Sequence, residues 1–443
     1  MDSPTSPAPR LRSAERHTVH DFSLSLDAML TPDHLARTVA DFVTGLDLSP
    51  FYQDIKAVEG RPGHPHLDPA LGVTLWLFAT LDGVGSARRL ERLCQEHTAY
   101  RWIAGGVSVN YHSLADFRVQ YTDRLDDFLT DSVAVLIDQD FVPLQTLAQD
   151  GMRVRAAAGT DTFRRKPTLL ELREQARAHV ESLKAQPDED PAAASRRQQA
   201  AQARAARERL DRLDRALEQM PALEASREAY KKGTADKARA STTDPEARNM
   251  KMPNGGYNPA FNVQCSTDVA TGLIVDVAAV NQGTDNGQLG ESLERIEARY
   301  DQRPAQVLAD YGFAKLDDIE EAAGKGIDVY LPVKDAEKKE AKGENPYQPR
   351  PTDKPGVAAW RVRMGTAEAK DLYKQRAATA EWVNAGCRNR GFYQVRVRGV
   401  AKVLACVLWQ ALAHNLLRAE ALRRQRAEEQ AKKSSGFGGE GAR

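Results

Sequence analysis

The pattern of hydrophobic and polar positions divides the chain into a helical first part and a later part in which strands and helices alternate. Residues 27–140 place apolar side chains at helical spacing, most clearly in "DPALGVTLWLFATLDG" and "SARRLERLCQEHTAYRWIAG". Ser86 is the predicted N-cap of the second helix, and Gly83 and Gly85 form the turn between the two. Helices joined in this way occur in DNA-binding helix–turn–helix motifs and also in ordinary small helical domains.

The order of strands in the later part predicts its fold. The first strand lies in "QTLAQDGMRVRAAAG", and "YNPAFNVQCST" and "GLIVDVAAV" form a strand pair with a turn at residues 268–272. A helix, the strand "AQVLAD", a second helix, the strand "GIDVYLPVK" and a final helical part follow. We therefore predict an α/β fold, in which a ribonuclease-H-like mixed sheet with a helical insertion follows an all-α N-terminal domain.

The predicted insertion follows the first strand. Residues 169–232 are rich in Ala, Arg, Glu and Gln, and apolar side chains recur there at spacings of three and four, at Leu210, Leu213, Leu217 and Met220. Proline interrupts a helix interior, so we expect the segment to be divided at Pro187, Pro191 and Pro221. These features predict a helical hairpin.

Composition narrows the class of protein. The 443 residues suit two or three domains, and 41% hydrophobic with 28% charged residues is typical of a globular protein. Four scattered cysteines without a CxxC pair argue against a zinc site or a disulfide framework and fit a reducing cytoplasm. No apolar segment follows a basic start, so we expect no signal peptide. The longest apolar run, residues 403–417, is short for a membrane span and contains His414 and Asn415, which predicts a buried helix.

Charge is balanced over the whole chain but not locally. There are 62 basic and 62 acidic residues, whereas residues 361–402 hold ten lysines or arginines against three acids. Such a segment is either an electrostatic footprint for a polyanion or a solvated helix face.

Three carboxylates are candidates for one site. Asp150 is placed at the end of the predicted first strand and Asp310 at the end of the predicted fourth, which is its neighbour in a sheet of this kind. Glu381 is placed at the start of a helix beside them. Clustered carboxylates suit Mg²⁺ or Mn²⁺, and two such ions about 4 Å apart promote phosphodiester displacement. The alternative for Asp310 is a strand-end turn, since Gly312 follows closely.

Other polar residues have simpler explanations beside functional ones. Asp285 is either an accessory metal ligand or an acid at a helix N-terminus. Asp161 and Asp244 are expected to cap or turn the chain, and His414 and Asn415 to be satisfied polar groups in the core.

The sequence resembles the DDE-type transposases of bacterial insertion sequences, specifically those with an N-terminal helical domain. The resemblance extends over residues 22–418. It is carried by an ordered set of motifs: "DGMRVRAAAG", "TDPEARNMK", "YNPAFNVQ", "NQGTDNGQL", "VLADYGF", "LYKQRAATAEWVNAGCRNRG" and "VRGVAKVLACVLWQALAHNLLR".

The resemblance implies roles for individual residues. Asp150, Asp310 and Glu381 match the three metal-binding acids, and Tyr373 and Arg376 match a tyrosine and an arginine upstream of the glutamate.

The chain departs from many relatives at two places. Arg388, seven residues beyond Glu381, stands where they have lysine, and a guanidinium can still hold a phosphate bidentately. A Lys- and Glu-rich loop at residues 334–344 stands where they carry a cysteine cluster.

The implied function is transposition. The protein would bind double-stranded DNA at the terminal inverted repeats of its element, cut it with two Mg²⁺ or Mn²⁺ ions and join the ends to target DNA. It would act as a homodimer on DNA in the bacterial cytoplasm, at the nucleoid and not at a membrane. The alternatives are a ribonuclease-H-like nuclease without strand transfer and a catalytically inert DNA-binding relative.

The implied domains follow the same division of the chain. Residues 1–20 are expected to be disordered, 21–140 to form the helical DNA-binding domain, 141–420 the catalytic domain with its insertion at about 165–240, and 421–443 a largely disordered tail. In the helical domain, the expected DNA contacts are Arg88, Arg89 and Arg92.

Overall fold

The first part of the chain is helical, as its hydrophobic pattern predicts. The computed structural model describes residues 25–53, 55, 66–185 and 193–436, without the side chains of 193–197 and 434–436, so the expected disorder of residues 1–20 lies outside it. The helices of this part are α1 (Leu35–Thr44), α2 (Ser49–Tyr52), α3 (Pro69–Leu81), α4 (Ala87–Glu96), α5 (Thr98–Ala104), α6 (Tyr111–Gln120) and α7 (Thr122–Asp138).

Polar groups at the helix starts explain where these helices begin. The Ser86 side chain accepts a hydrogen bond from the Arg89 backbone N–H at 3.4 Å, and Asn110 accepts one from that of Ser113 at 2.9 Å. Both satisfy backbone donors that have no partner inside the helix. The N-cap prediction for Ser86 is therefore confirmed.

The later part contains the sheet. Its strands are β1 (Thr146–Arg155), β2 (Phe163–Arg164), β3 (Ala240–Ser241), β4 (Arg248–Lys251), β5 (Tyr257–Asp268), β6 (Ile274–Val280), β7 (Gln306–Leu308) and β8 (Asp328–Tyr330). The short β2 and β3 pair with each other beside the insertion.

The six remaining strands form one mixed sheet with β1 at its centre. β1 is antiparallel to β5 on one side and parallel to β7 on the other, and β8 lies outside β7. β4 and β6 both pair with the long β5. This is the ribonuclease-H-like order, and the predicted fold class is confirmed.

Helices cover both faces of this sheet. They are α10 (Gln288–Tyr300), α11 (Leu316–Gly324), α12 (Ala336–Glu340), α13 (Pro355–Met364), α14 (Ala367–Asn389) and α15 (Val400–Gly436), which follow the two insertion helices α8 (Lys166–Lys184) and α9 (Ala193–Tyr230). α14 packs against β1, and α15 packs against β6, α3 and α7.

The insertion is a helical hairpin, but Pro221 does not divide it. Leu213 and Met220 on α9 are buried against Leu169 of α8, as the apolar spacing predicts. α9 runs through Pro221 without a break. The packing of this apolar stripe compensates for the hydrogen bond that proline removes. Pro187 and Pro191 lie outside the described residues.

The apolar run at residues 403–417 lies in α15, which is buried as predicted. In the described part of the chain, this helix alone has the length and hydropathy of a membrane span, and 67% of its apolar window is buried inside the protein. His414 Nε2 lies 2.8 Å from the Gly272 carbonyl oxygen, and the Asn415 side chain donates to the carbonyl and accepts from the N–H of Ile274. Both are satisfied core groups, as expected.

Asp244 caps the start of α15, which agrees with its expected capping role, whereas the end of α15 extends further than predicted. Both carboxylate oxygens of Asp244 accept from the Gly399 N–H at 3.2 Å, and Glu246 accepts from that of Val400. Asp244 therefore caps a helix distant in sequence. Residues 421–436, expected to belong to the disordered tail, continue α15 because they are rich in good helix formers.

Replacing His414 by glutamine tests the burial of this group. Burial lowers the pKa of His414 from 6.5 to about 4, so between these pH values the unfolded chain binds a proton that the folded chain excludes. Stability of the native protein should fall as pH falls through this window, whereas His414→Gln lacks this contribution. Urea unfolding should show the wild-type losing about 2 kcal/mol relative to the variant between pH 7.5 and pH 5. Parallel pH profiles would contradict this assignment.

Candidate active site

Asp150 and Asp310 lie together because their strands are parallel neighbours. Ala148 of β1 is paired with Leu308 of β7, and each aspartate follows two residues later along its own chain. Since side chains repeat on one face every second residue, the two carboxylates lie on the same side of the sheet. Asp150 falls in the middle of β1 and not at its end, which corrects the sequence expectation in detail.

A single arginine bridges the two carboxylates. Arg376 of α14 places its Nη2 2.9 Å from Asp150 Oδ1 and 3.6 Å from Asp310 Oδ2. The side chains of Arg376 and Asp150 are 16% and 18% exposed, so their ion pair is shielded from solvent. Arg376 Nε is buried without a hydrogen-bond partner in the described structure. The guanidinium therefore supplies the cation that two close carboxylates require.

The second carboxylate oxygen of Asp150 also has a hydrogen-bond partner on α14. Asn384 Nδ2 donates to Asp150 Oδ2 at 2.6 Å. Burial nevertheless raises the pKa of the Asp150 carboxyl above its ordinary value. The Arg376 cation opposes this shift, while the negative charges of Asp310 and Asp285 add to it. The Arg376 cation thus favours the ionised form of Asp150 against the effect of burial.

Tyr373 lies beside this group, one helical turn before Arg376. Burial raises the pKa of the Tyr373 hydroxyl, the Arg376 cation opposes the shift, and the charges of Asp310 and Asp150 add to it. The hydroxyl thus stays protonated and can donate a hydrogen bond.

Asp285 lies on the opposite side of β1 and has its own partners. Its Oδ1 and Oδ2 lie 3.1 and 3.0 Å from the two terminal nitrogens of Arg153, and Asn262 and Gln264 donate to Oδ1 at 2.7 and 2.8 Å. A Cβ at Gly151 would lie 2.2 Å from Asp285 Oδ1, so this approach to β1 requires glycine there.

These partners of Asp285 were missed by sequence reasoning, although a signal existed. Asn262, Gln264 and Ser266 alternate along a buried strand, and polar residues at alternate positions of a central strand must face other polar groups. Asp285 does not cap a helix with its side chain, and its carboxylate instead joins the α10 side of the sheet to β1 and β5.

Glu381 is not brought into contact with Asp150 or Asp310. It lies in the middle of α14, not at a helix start, and it is exposed and forms no hydrogen bond or ion pair within the described part of the chain. Asn384, one turn later, takes the position next to Asp150 instead. Among the described residues there is no group of three or more His, Cys, Asp or Glu side chains placed to hold a metal.

The arginines expected to contact DNA are exposed. Arg88, Arg89 and Arg92 lie on α4, and Arg88 stacks over the Tyr111 ring at 4.8 Å. Arg388 is exposed near the end of α14. No ion pair involves these four arginines in the described residues, so their charges are available to an anion.

Two comparisons with protein families decide what kind of protein this is. Residues 232–416 match the family model described as "Transposase DDE domain", and residues 24–120 match that described as "Transposase domain (DUF772)". Together the two ranges span more than half of the chain. The chain belongs to the DDE transposases. No curated protein and no solved structure matches it.

The two matched ranges do not contain all of the candidate site residues of this transposase. Asp310, Tyr373, Arg376 and Glu381 lie inside the DDE match, whereas Asp150 lies between the two matches. Membership of this family implies DNA as the substrate, transposition as the activity and divalent metal ions as the general cofactor. The hard carboxylate oxygens of Asp150 and Asp310 suit such an ion, and the bridging guanidinium shows that a cation is favourable between them.

Replacing Arg376 by glutamine tests its role as counter-ion in the transposase. Without the guanidinium, two carboxylates face each other uncompensated, so the metal-free variant should be about 1–3 kcal/mol less stable than the wild-type. Millimolar Mg²⁺ should restore more stability to the variant than to the wild-type, because the metal no longer competes with a resident cation. Urea unfolding with and without Mg²⁺ measures both effects.

The control for charge loss is Arg388→Gln on the exposed side of the same helix. Equal stability of Arg376→Gln and Arg388→Gln in metal-free buffer would refute the counter-ion role.

Proposed function

We propose that this transposase cleaves DNA at the ends of its own mobile element and joins those ends to target DNA, using two divalent metal ions. The observation that carries the proposal is the convergence of Asp150, on β1, and Asp310, two residues after the end of the adjacent parallel strand β7, in a ribonuclease-H-like sheet. This arrangement offers rigid oxygen ligands beside a surface that is open on the Asp310 side, whose side chain is 43% exposed.

Asp150 and Asp310 would hold Mg²⁺ or Mn²⁺. Bound there, the ions would activate the attacking oxygen and stabilise the leaving oxygen of a phosphodiester. Asp150 contributes a carboxylate held in place by Asn384, and Asp310 contributes one at the solvent edge of the site. Water is the proposed first nucleophile, and the freed 3′ hydroxyl is the second.

Arg376 has two roles in this proposal. Before metal binds, its guanidinium offsets part of the negative charge of Asp150 and Asp310. Once a metal cation takes over that charge, the same guanidinium is free to hold a DNA phosphate next to the site, and Tyr373 can donate a hydrogen bond there. Competition between metal and Arg376 would then couple metal binding to DNA binding.

Glu381 is proposed as the third metal ligand on the basis of the family motif. Its exposed position on α14 means that the helix must shift for its carboxylate to reach Asp150 and Asp310. Asp285 is the competing candidate, because its charge already acts on Asp150. Its full set of hydrogen bonds from Arg153, Asn262 and Gln264 argues for a supporting role instead.

We propose that residues 21–140 bind the terminal inverted repeats, with Arg88, Arg89 and Arg92 contacting DNA. Arg388, two helical turns beyond Glu381, would hold a phosphate near the catalytic residues. The proposed catalytic domain is residues 141–420. Two ends must be held together for transposition, so a homodimer on DNA in the cytoplasm is the proposed working form.

A catalytically inert DNA-binding relative is the second candidate. The exposed position of Glu381 and the bridging of both aspartates by Arg376 favour it. Metal-dependent nicking of a plasmid that carries this gene with its flanking DNA would exclude it. Joining of a pre-cut end to a second plasmid would further exclude a nuclease without strand transfer.

Replacing Asp310 by asparagine should abolish nicking of that plasmid. Asparagine keeps the size of the side chain but lacks the negative charge for metal, so the rate should fall about a thousandfold or more. DNA binding should be unchanged, because the basic residues remain. Asp301→Asn is the matched control, since Asp301 has a positive φ of 50° that asparagine adopts equally well. Nicking by Asp310→Asn within tenfold of wild-type would return Asp310 to the role of a turn residue.

Glu381→Gln and Asp285→Asn distinguish the two candidates for the third ligand. Glu381→Gln should lose nicking about a hundredfold or more and keep the wild-type unfolding temperature, because the side chain is exposed. Asp285→Asn should lower the unfolding temperature, since it loses the ion pair with Arg153 and its NH2 group would face a donor in either orientation, Arg153 Nη2 or the amides of Asn262 and Gln264. Nicking by the folded fraction of Asp285→Asn should persist. If Glu381→Gln kept nicking and the folded fraction of Asp285→Asn lost it, Asp285 and not Glu381 would be assigned as the third metal ligand.

A further inference from the structure

A cavity lined by arginines lies away from the Asp150–Asp310 pair. Its volume is about 450 Å³, and it is enclosed by the α3–α4 turn, α6, the segment after α14 and α15. Among the described residues that line it there is no acid, and four are arginines: Arg89, Arg118, Arg390 and Arg396. The whole chain has equal numbers of basic and acidic residues, so this concentration of positive charge is local.

The α3–α4 turn and the segment after α14, which form two sides of the cavity, contact each other at two glycines. Gly83 and Gly391 have positive φ angles of 70° and 77°. A Cβ at Gly83 would lie 3.4 Å from the Arg390 carbonyl oxygen, and one at Gly391 would lie 3.5 Å from that of Gly83. The α3–α4 turn and the segment after α14 therefore touch directly, and one belongs to each of the two matched transposase regions.

Arg118 is the most buried of the four arginines, at 8% exposure. Its guanidinium lies over the Trp76 ring at 4.8 Å, and Nη1 donates to the Gly85 carbonyl oxygen at 2.6 Å. Its Nε is buried and has no hydrogen-bond partner in the described structure. A buried cation with an unsatisfied donor and no carboxylate beside it is costly unless an anion binds.

The other three arginines also lack acidic partners. Arg390 donates through Nε to Gln410 at 3.2 Å, and Arg89 and Arg396 are exposed at the cavity rim. In the part of the chain that the structure describes, none of the four forms an ion pair with an acid. Converging like charges repel one another, and a phosphate would relieve this repulsion while accepting several charge-assisted hydrogen bonds.

We propose that this cavity binds a phosphate group of the DNA backbone. Arg89 and Arg118 would contact the phosphate from one side, and Arg390 and Arg396 from the other. The proposal rests on the proposed DNA-cutting function. Arg89 lies on α4 together with the exposed Arg88 and Arg92. The positively charged surface therefore extends beyond the rim of the cavity, where neighbouring phosphates of a DNA backbone would lie.

The cavity also has a direct connection to the catalytic sheet. The segment after α14 pairs in parallel with the end of β1, because the Arg155 N–H donates to the Tyr393 carbonyl oxygen at 3.0 Å and the Val395 N–H donates to that of Arg155 at 2.9 Å. A phosphate held between Arg89 and Arg396 would thus fix DNA to the helical region and to the strand that carries Asp150 at once.

The experiment measures binding of a fluorescein-labelled 30-base-pair duplex of arbitrary sequence, by anisotropy over a range of NaCl concentrations. Arg89→Gln and Arg396→Gln should each weaken binding about fivefold near 0.1 M salt and reduce the salt slope by about one. Because both hold one phosphate, the double variant should lose about five- to tenfold and not the roughly 25-fold expected of independent contacts. Arg424→Gln, an exposed arginine on the far end of α15, is the control and should bind as wild-type does.

Wild-type affinity and slope in Arg396→Gln would overturn the proposal, as would independent losses in the double variant. A second arm compares unfolding temperatures in sodium phosphate and in NaCl of equal ionic strength. Stabilisation by phosphate that requires Arg396, without any loss of DNA affinity in Arg396→Gln, would reassign the cavity to a free phosphate compound.

The outcome is separable from that of the proposed function. Metal-dependent nicking by wild-type protein together with unaltered binding in Arg396→Gln would reject the cavity alone. Absent nicking together with the sub-additive binding loss would reject catalysis alone.

Discussion

Parallel hydrogen bonding between β1 and β7 sets Ala148 opposite Leu308, and two residues further along each segment lie Asp150 and Asp310. The two negatively charged carboxylates repel each other. Burial raises the pKa of Asp150 and so further disfavours its charged form. The free protein needs a cation between them, and Arg376 supplies it. The position of α14 against β1 is therefore linked to the electrostatics of the site as well as to apolar packing.

α14 turns Arg376 and Asn384 towards Asp150, while other side chains of the same helix are exposed. Glu381 and Arg388, two turns apart, are among the exposed ones. One helix thus carries polar side chains that contact the aspartates and, beside them, exposed charged side chains.

The helical region and the sheet are held together by α15. Its apolar residues pack against α3, α7 and β6, and Asn415 hydrogen-bonds the backbone at the start of β6. Asp244 and Glu246, which follow the insertion, fix the first turn of the helix. Both regions share one continuous hydrophobic core, so surfaces contributed by each, such as the arginine-lined cavity, keep a defined geometry.

The sequence by itself determined the class of fold, because helical and strand periodicities are local properties that survive any tertiary arrangement. The predicted strands recur as β1, β5, β6, β7 and β8, and the apolar stripe of the insertion is buried as its spacing indicates. The convergence of Asp150 with Asp310 also followed from strand order. Tertiary structure decided the rest, since it depends on contacts between residues that are far apart in the chain. Packing against α8 lets α9 pass through Pro221, and the rotation of α14 about its axis places Asn384, not Glu381, beside Asp150. A helical sequence fixes which residues share a face, but only the partners of that helix decide which face is turned inward.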